Sequence, residues 1–236
     1  MNDILAVENL SKIFMMHILN GKVIRGCEDI SFTLPEGESI GILGPSGTGK
    51  SSILKCIYRT YIPTEGRIVY HSLQFGTVDL ASAPENIILA LRNTEIGYVS
   101  QFLKIMPRVS ALDVVAEGLI KRGTEKQEAR YRAREHLTRL QISPDLWDAY
   151  PSTFSGGEQQ RINIARAAIV KPRLMLLDEP TASLDGRTRE AVIDLLLELK
   201  REGTSIIGIF HDLDTMFQLV DKTYDMSVFD SYKAEV

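Results

Sequence analysis

Apolar and polar residues alternate in short runs over the first forty positions of the chain. The clearest runs lie at residues 4–7 and 29–34, and such alternation is typical of strands with one buried face. Turn-forming residues stand at Asn20 and Gly21 and again at residues 35–37. The pattern therefore predicts an antiparallel β region over residues 4–40.

A different pattern begins after residue 38. Residues 39–43 form a compact apolar run, as in a buried strand, and a glycine-rich turn separates them from residues 51–58, where apolar positions recur at helical spacing. Further strands are predicted at 66–70, within a hairpin, and at 96–99. This part of the chain is thus predicted to hold a strand–loop–helix unit and two short strands.

The segment between residues 101 and 151 is helical in character. We predict helices at 111–120 and 125–140, and in the second helix one stripe of apolar residues recurs at helical spacing. The stripe consists of Ala129, Ala133, Leu137 and Leu140. An inserted helical subdomain is therefore expected at approximately 102–150.

Strands and helices alternate in the last third of the chain. Helices are predicted at 158–169 and 188–202, and strands at 174–177 and 205–210. This alternation predicts an α/β fold with a parallel sheet packed between helices. We expect one domain over residues 1–236, with a core of 1–100 and 151–236.

Composition and charge exclude several classes of protein. With 236 residues, 44% of them apolar, the chain can build a sizeable core, and a net charge of −4 with a pI near 5.7 gives no basic surface for nucleic acid. The arginines of residues 130–135 sit beside Glu128, which is placed to pair with Arg132 on a solvated helix face. No apolar run reaches a bilayer-spanning length and the start lacks a signal peptide, so we expect a cytoplasmic protein without a nucleic-acid partner.

Residues 44–51 match the phosphate-binding P-loop pattern and lie between a predicted buried strand and a predicted helix. Glycines let the backbone N–H groups turn inward to form an anion site at the helix start. Lys50 is placed to reach the β- and γ-phosphates of a nucleotide, and the Ser51 hydroxyl is a candidate Mg²⁺ ligand. The motif predicts a nucleoside triphosphate and Mg²⁺ as ligands.

Polar residues also follow the other predicted strands. Asp178 and Glu179 end the apolar run 174–177, where Asp178 is expected to hold Mg²⁺ through water and Glu179 to act as general base for an attacking water. Gln101 follows the strand at 96–99 and is a candidate for contact with metal and water. His211 follows the strand at 205–210 and is a candidate donor to the γ-phosphate.

A second phosphate-binding pattern lies at residues 155–158, Ser-Gly-Gly-Glu, and contains no lysine. Together with the motifs above, in this order and spacing, it resembles the ATP-binding-cassette (ABC) ATPases over nearly the whole chain. The resemblance implies an ABC-type P-loop NTPase fold, with a mixed or parallel sheet core, an N-terminal antiparallel β subdomain and an inserted helical subdomain. It also implies ATP hydrolysis with Mg²⁺.

Roles for individual residues follow from that resemblance. Lys50, Gln101, Glu179 and His211 would be catalytic, and Ser51, Gln101 and Asp178 would hold the metal. Residues that would contact nucleotide are Phe14, stacked on adenine, Gly44, Pro45, Ser46, Gly47, Thr48, Gly49, Lys50, Ser51 and Ser52 in the Walker A loop, Ser155, Gly156, Gly157 and Glu158 in the signature, and Asp185 in the D-loop.

The resemblance also explains why the signature lacks a lysine. In this family two cassettes meet head to tail, and the signature of one completes the ATP site of the other. That ATP site already has positive charge from Lys50 and Mg²⁺, so the signature needs no lysine of its own. A second cassette, identical or related, is therefore an expected partner. Phe154 and Glu158 stand where the family commonly has Leu and Gln.

Longer stretches are similar to the L-subunit ATPases of bacterial carbon–phosphorus lyase systems, which break down phosphonates. They lie at residues 58–66, 97–112, 151–161 and 208–212. This similarity implies an accessory ATPase of the soluble assembly that synthesises ribose 1-methylphosphonate 5-triphosphate, with the other lyase subunits as partners.

The alternative is a nucleotide-binding subunit of an ABC transporter of the lipoprotein-release or export type. The surface around Gln101 and residues 102–115 would then receive a helix of a membrane permease. The two hypotheses require the same ATP site and differ only in the protein that docks on the helical subdomain.

Overall fold

Two β-sheets form the framework of the computed structural model, which describes residues 2–16, 22–101, 103 and 108–226. An antiparallel sheet has the strand order β2-β1-β4-β5, and a parallel sheet has the order β6-β7-β8-β3-β9. The strands are β1 (Asp3–Met16), β2 (Lys22–Pro35), β3 (Ser39–Leu43), β4 (Glu65–Ser72), β5 (Gly76–Asp79), β6 (Ile96–Val99), β7 (Leu174–Asp178), β8 (Ser205–Ile209) and β9 (Lys222–Asp225).

Seven α-helices accompany these strands in the described ranges. They are α1 (Lys50–Ile57), α2 (Glu85–Thr94), α3 (Ala111–Lys121), α4 (Lys126–Arg139), α5 (Gly156–Ala168), α6 (Gly186–Arg201) and α7 (Leu213–Leu219). Single 3₁₀ turns lie at Pro144–Leu146 and Pro151–Thr153. None of these helices combines the length and the apolar character that crossing a bilayer requires.

The parallel sheet separates two hydrophobic clusters. Every residue of β7 is buried, and alternate side chains point to opposite faces of the strand. Leu174 and Leu176 join the cluster formed with the antiparallel sheet and α1, whereas Met175 and Leu177 join the cluster formed with α3 to α6. A strand buried on both faces must be continuously apolar, which is why residues 174–177 carry no polar side chain.

Most predicted elements are confirmed. The stripe of α4 is fully buried at Ala129, Ala133 and Leu137, and its polar face carries the predicted pair, with Arg132 Nε 2.7 Å from Glu128 Oε1. The predicted turn at residues 35–37 also forms, but the one at Asn20 and Gly21 lies outside the described residues.

Among the described helices and strands, α2, α7 and β9 were not predicted, and β5 was expected only as the unassigned partner in the hairpin at 66–70. Strand β9, Lys-Thr-Tyr-Asp, has no strand-like apolar pattern and forms by pairing in parallel with β3. The predicted helix at 158–169 also begins earlier, at Gly156, because Ser155 caps it. β9 depends on pairing with β3 and α7 on its cap, Asp212, and apolar spacing reports neither.

A buried carboxylate joins the two sheets. Glu95, directly before β6, accepts hydrogen bonds from Tyr70 Oη at 2.9 Å, from Ser72 Oγ at 2.7 Å and from the next two backbone N–H groups of that segment. Arg173, directly before β7, lies 3.4 Å from the same carboxylate and also pairs with Glu36 after β2. Burial alone would raise the pKa of Glu95, but the donated hydrogen bonds hold it below the ordinary 4.5.

We predict that Glu95→Gln lowers the free energy of unfolding by about 2 kcal/mol near neutral pH, because the amide cannot accept all of these hydrogen bonds. The folded-state pKa is depressed, so the carboxylate stabilises fully above pH 4.5 and loses its contribution as pH falls through the folded value. The difference between wild type and variant in urea unfolding should therefore shrink below pH 4.5.

Glu36→Gln is the matched control, because Glu36 pairs with the same Arg173 but has a half-exposed side chain. It should change the free energy of unfolding by less than about 0.5 kcal/mol. Equal effects of the two substitutions would contradict the role of Glu95 as the joint between the sheets.

Candidate functional site

The predicted site residues gather at the carboxyl edge of the parallel sheet. Adjacent parallel strands end at this edge, so the residues that follow β3, β6, β7 and β8 meet there. The glycine-rich loop (residues 44–51) follows β3, Gln101 follows β6, Asp178 and Glu179 end β7, and His211 follows β8.

The glycine-rich loop wraps around the ammonium group of Lys50. Gly44, Gly47 and Gly49 have φ angles of 143°, 85° and 93°, which a residue with a side chain rarely adopts. Lys50 Nζ donates to the carbonyl oxygens of Gly44 at 2.6 Å and of Pro45 at 2.7 Å. The loop thus surrounds a cation at the start of α1, where the helix also presents unpaired backbone N–H groups.

The protonation of Lys50 depends on two opposing effects. Burial lowers the pKa of this lysine below its ordinary 10.5, and the charge of Glu179 opposes that shift. A positive group beside a ring of backbone N–H groups suits a polyphosphate.

The loop rests on the antiparallel sheet through Gly49. A Cβ atom at this position would lie 1.3 Å from the carbonyl oxygen of Gly26 in β2, so no side chain fits there. The ring of Phe14 covers Gly26 from another side, and Tyr61 meets that ring edge-on at 5.0 Å. Phe14 therefore lies beside the loop, and its stacking on adenine stays a prediction.

Asp178 is almost fully buried, with 5% exposure, and each of its oxygens accepts one hydrogen bond. Ser51 Oγ donates to Oδ1 at 2.7 Å, which joins the two predicted metal ligands. Tyr98 Oη donates to Oδ2 at 2.9 Å. The contact from Tyr98 was not predicted, and its only signal in the sequence is a hydroxyl-bearing residue inside a short buried strand.

Glu179 is the point where the predicted catalytic residues converge. Gln101 Nε2 donates to one carboxylate oxygen at 2.9 Å, and His211 Nε2 lies 3.0 Å from the other. Its backbone has φ 55°, an uncommon conformation for a residue with a side chain, and its N–H donates to Ile209 at the end of β8. The structure thus places both Gln101 and His211 on the carboxylate, while their contacts with metal and phosphate stay predictions.

The signature segment (residues 155–158) starts α5. Glu158 Oε2 accepts from the backbone N–H of Ser155 at 2.9 Å and from its hydroxyl at 2.7 Å, while Ser155 Oγ accepts from the N–H of Glu158 at 3.3 Å. The two residues form a capping box, and the hydrogen bonds from Ser155 lower the pKa of Glu158. Glutamate at this position therefore stabilises the helix start.

The signature segment does not join the cluster around Glu179. Among the described residues, its hydrogen bonds stay within α5 and the residues next to it. A Cβ atom at Gly156 would meet nothing within 4 Å, whereas one at Gly157 would lie 2.9 Å from the carbonyl oxygen of Ser183. Asp185, predicted to contact nucleotide, caps α6 by accepting from Thr188 N–H at 2.9 Å.

A cleft leads from the site to the surface between α2, α3 and α5. It has a volume of about 680 Å³, and Ser51, Tyr98, Gln101 and Asp178 lie among the residues that line it. Four basic residues also line it, namely Lys55, Arg92, Lys121 and Arg166. The cleft thus extends from Ser51, Gln101 and Asp178 of the site to residues of α2, α3 and α5.

The donor set around Asp178 suits a hard cation. The described part of the chain holds no group of three or more His, Cys, Asp or Glu side chains that could bind a metal by themselves. A metal at Asp178 therefore needs further oxygen ligands, such as the Ser51 hydroxyl, phosphate or water. Mg²⁺ favours such a set, because it keeps several waters and binds few carboxylates.

Comparison with known proteins gives a consistent result. Residues 27–182 match a protein family described as "ABC transporter". Over 226 residues the chain is 35% identical to the "Lipoprotein-releasing system ATP-binding protein LolD" of Aquifex aeolicus (strain VF5). The alignment covers 96% of this chain and 95% of the relative. The similarity thus spans both sheets and all seven helices.

Two solved structures of the cassette MJ0796 are similar to this chain. A dimeric structure, described as a bacterial ABC transporter cassette, has a TM-score of 0.84 at 29% identity and covers 94% of both chains. A post-hydrolysis dimer bound to ADP and Pi has a TM-score of 0.80 at 30% identity and covers 89% of both. These proteins give no support to the similarity with carbon–phosphorus lyase subunits.

We predict that Gly49→Ala destabilises the protein more than Gly47→Ala does. Both glycines have left-handed backbones, which costs a substituted residue about 1 to 2 kcal/mol, but only Gly49 contacts another segment. Displacing Gly26 should cost Gly49→Ala about 2 kcal/mol more. Urea unfolding measures the difference, and equal losses would contradict the packing of the loop on β2.

Proposed function

The chain belongs to the ABC transporter family, and we propose that it hydrolyses ATP as a head-to-tail pair with one nucleotide at each interface. Its fold is that of an ABC ATPase cassette, which binds ATP. The observation that carries the proposal is the position of Glu179, whose carboxylate is held by Gln101 and His211 beside the loop that surrounds Lys50.

In the proposed reaction, Lys50 and the N–H groups of the loop bind the β- and γ-phosphates. Glu179 accepts a proton from a water molecule while the water oxygen attacks the γ-phosphorus. The bond between the γ-phosphorus and the oxygen that leaves with ADP then breaks. Gln101 and His211 keep the carboxylate of Glu179 in one orientation. Ser51 and Asp178 would hold Mg²⁺, which neutralises phosphate charge when bound.

The second cassette supplies what one chain lacks. The N-terminus of α5 is a site for anions, and Gly156 leaves its approach open. Because residues 155–158 make no hydrogen bond to the cluster around Glu179 in the described part of the chain, we propose that they bind the γ-phosphate held by the other cassette. Phe14 would cover adenine, and Asp185 would lie at the interface.

For the protein that this cassette drives, we propose a membrane permease. The family is described as a transporter family, and the relative from Aquifex aeolicus is the ATP-binding protein of a lipoprotein-releasing system. The surface predicted to receive a permease includes Phe102 and residues 104–107, which lie outside the described residues. Its described part includes Gln101, which also lines the cleft, and the half-exposed Leu89 on α2 belongs to the same cleft lining.

The second candidate is the carbon–phosphorus lyase assembly. It is favoured by the similarity of residues 58–66, 97–112, 151–161 and 208–212 to the L-subunit ATPases of those systems. In that case the same ATP cycle would act on soluble lyase subunits. The relatives reported above favour the transporter.

We expect Glu179→Gln to retain ATP binding and to lower turnover at least about 100-fold, because the amide cannot accept the proton. With MgATP this variant should run as a dimer in gel filtration. Adding Ser155→Arg should abolish that dimer, because the arginine side chain would fill the open space beside Gly156 through which the phosphate of the other cassette approaches.

Normal hydrolysis by Glu179→Gln would show that another group is the base. A dimer that persists with Ser155→Arg would contradict the head-to-tail arrangement. Circular dichroism of both variants provides the control for folding.

We expect the tagged chain to co-purify with a membrane protein when cells are extracted with detergent. Leu89→Asp should disrupt this complex, because Leu89 is 49% exposed and lines the cleft. Leu73→Asp is the matched control and should leave the complex intact, because Leu73 is 78% exposed but is not among the residues that line the cleft. Recovery of only soluble partners from phosphate-starved cells would favour the lyase assembly instead.

A further inference from the structure

We propose that Tyr98 is a positioning residue for Asp178: it holds one oxygen of this carboxylate, so that the other stays on Ser51, with which it would hold Mg²⁺. This inference rests on the proposed ATPase function. It adds a residue of β6 to the site, outside the motifs that predicted the others.

The hydrogen bonds of Asp178 divide cleanly between its two oxygens. Tyr98 Oη donates to Oδ2 at 2.9 Å, and Ser51 Oγ donates to Oδ1 at 2.7 Å. An ionised carboxylate can only accept, and it can rotate about its terminal bond unless both oxygens have partners. Tyr98 therefore removes the rotational freedom that Ser51 alone would leave.

The hydroxyl of Tyr98 is itself held firmly. Its ring stacks on Tyr58 with centroids 5.0 Å apart and an interplanar angle of 24°. The Arg92 guanidinium lies over the Tyr58 ring, 4.6 Å from its centroid, and Arg92 Nε donates to the Tyr58 carbonyl at 2.8 Å. On the strand, Tyr98 pairs with Leu176, two residues before Asp178. A side chain locked in this way can orient its neighbour.

The chemistry of the pair makes Tyr98 the donor. An ionised carboxylate can only accept hydrogen bonds, so the contact of 2.9 Å requires the phenol to donate to Oδ2. A phenylalanine at the same position would keep the stack and lose only this hydrogen bond.

A structural role and a positioning role predict different results. If Tyr98 only filled space, its hydroxyl would affect stability and leave metal binding unchanged. If it orients Asp178, its loss weakens metal binding to the ATP-bound protein, because partners that orient a metal ligand commonly contribute about tenfold or more to affinity.

The test compares Tyr98→Phe with Tyr58→Phe, which removes a hydroxyl from the same stack but not from Asp178. Mn²⁺ binding to the ATP-bound proteins is measured by electron paramagnetic resonance, and ATP binding is measured in excess EDTA. We expect Tyr98→Phe to weaken Mn²⁺ binding about tenfold with unchanged metal-free ATP affinity, and Tyr58→Phe to change neither.

Equal Mn²⁺ affinity in wild type and Tyr98→Phe would overturn the proposal, as would equal losses in the two variants. Failure of the wild type to bind ATP would instead refute the proposed function. Should Tyr98→Phe not fold, 3-fluorotyrosine at position 98 keeps the ring and hydroxyl but alters the strength of the donor. Altered Mn²⁺ affinity would then support the role of Tyr98, and unaltered affinity would overturn it.

Discussion

Burial of β7 on both faces is the constraint on which the rest of the site depends. A strand that lies inside the parallel sheet, between two hydrophobic clusters, can carry polar side chains only where it ends. Asp178 and Glu179 occupy that end, and the neighbouring strands stop at the same edge. Gln101 and His211, which follow neighbouring strands, therefore contact Glu179 without any long side chain having to cross the core.

The sheets contribute unequal parts of the site. The parallel sheet supplies the loop and the carboxylates, while the antiparallel sheet supplies Phe14 and the Gly26 carbonyl that seats Gly49. Their relative position therefore matters, and Glu95 with Arg173 joins them where β6 and β7 begin, at the edge of the parallel sheet opposite the loop. The two sheets are thus held together both at this edge and at the contact of Gly49 with Gly26.

Local pattern predicted much of this arrangement, and tertiary pairing accounts for the remainder. The buried stripe of α4 and the four apolar residues before Asp178 follow from spacing alone. The strand β9 could not be predicted, because its four residues carry little apolar pattern and, among the described strands, pair with β3 alone. Tyr98 was missed for a similar reason, since its importance depends on the register between β6 and β7. The glutamate at position 158 departs from the family pattern, and the capping box with Ser155 gives the physical reason that it fits.

The internal hydrogen bonds of Lys50 have a consequence for selectivity. Its ammonium group already has two carbonyl acceptors, Glu179 already has two partners, and Ser155 already donates to Glu158. An anion that takes these donors competes with carbonyl and carboxylate groups of the protein, except at the third N–H of Lys50, so a small ion that engages a single donor gains little free energy. A triphosphate that engages the whole loop at once makes many contacts for a single loss of translational freedom. We therefore expect this competition within the protein to favour a polyphosphate over small anions.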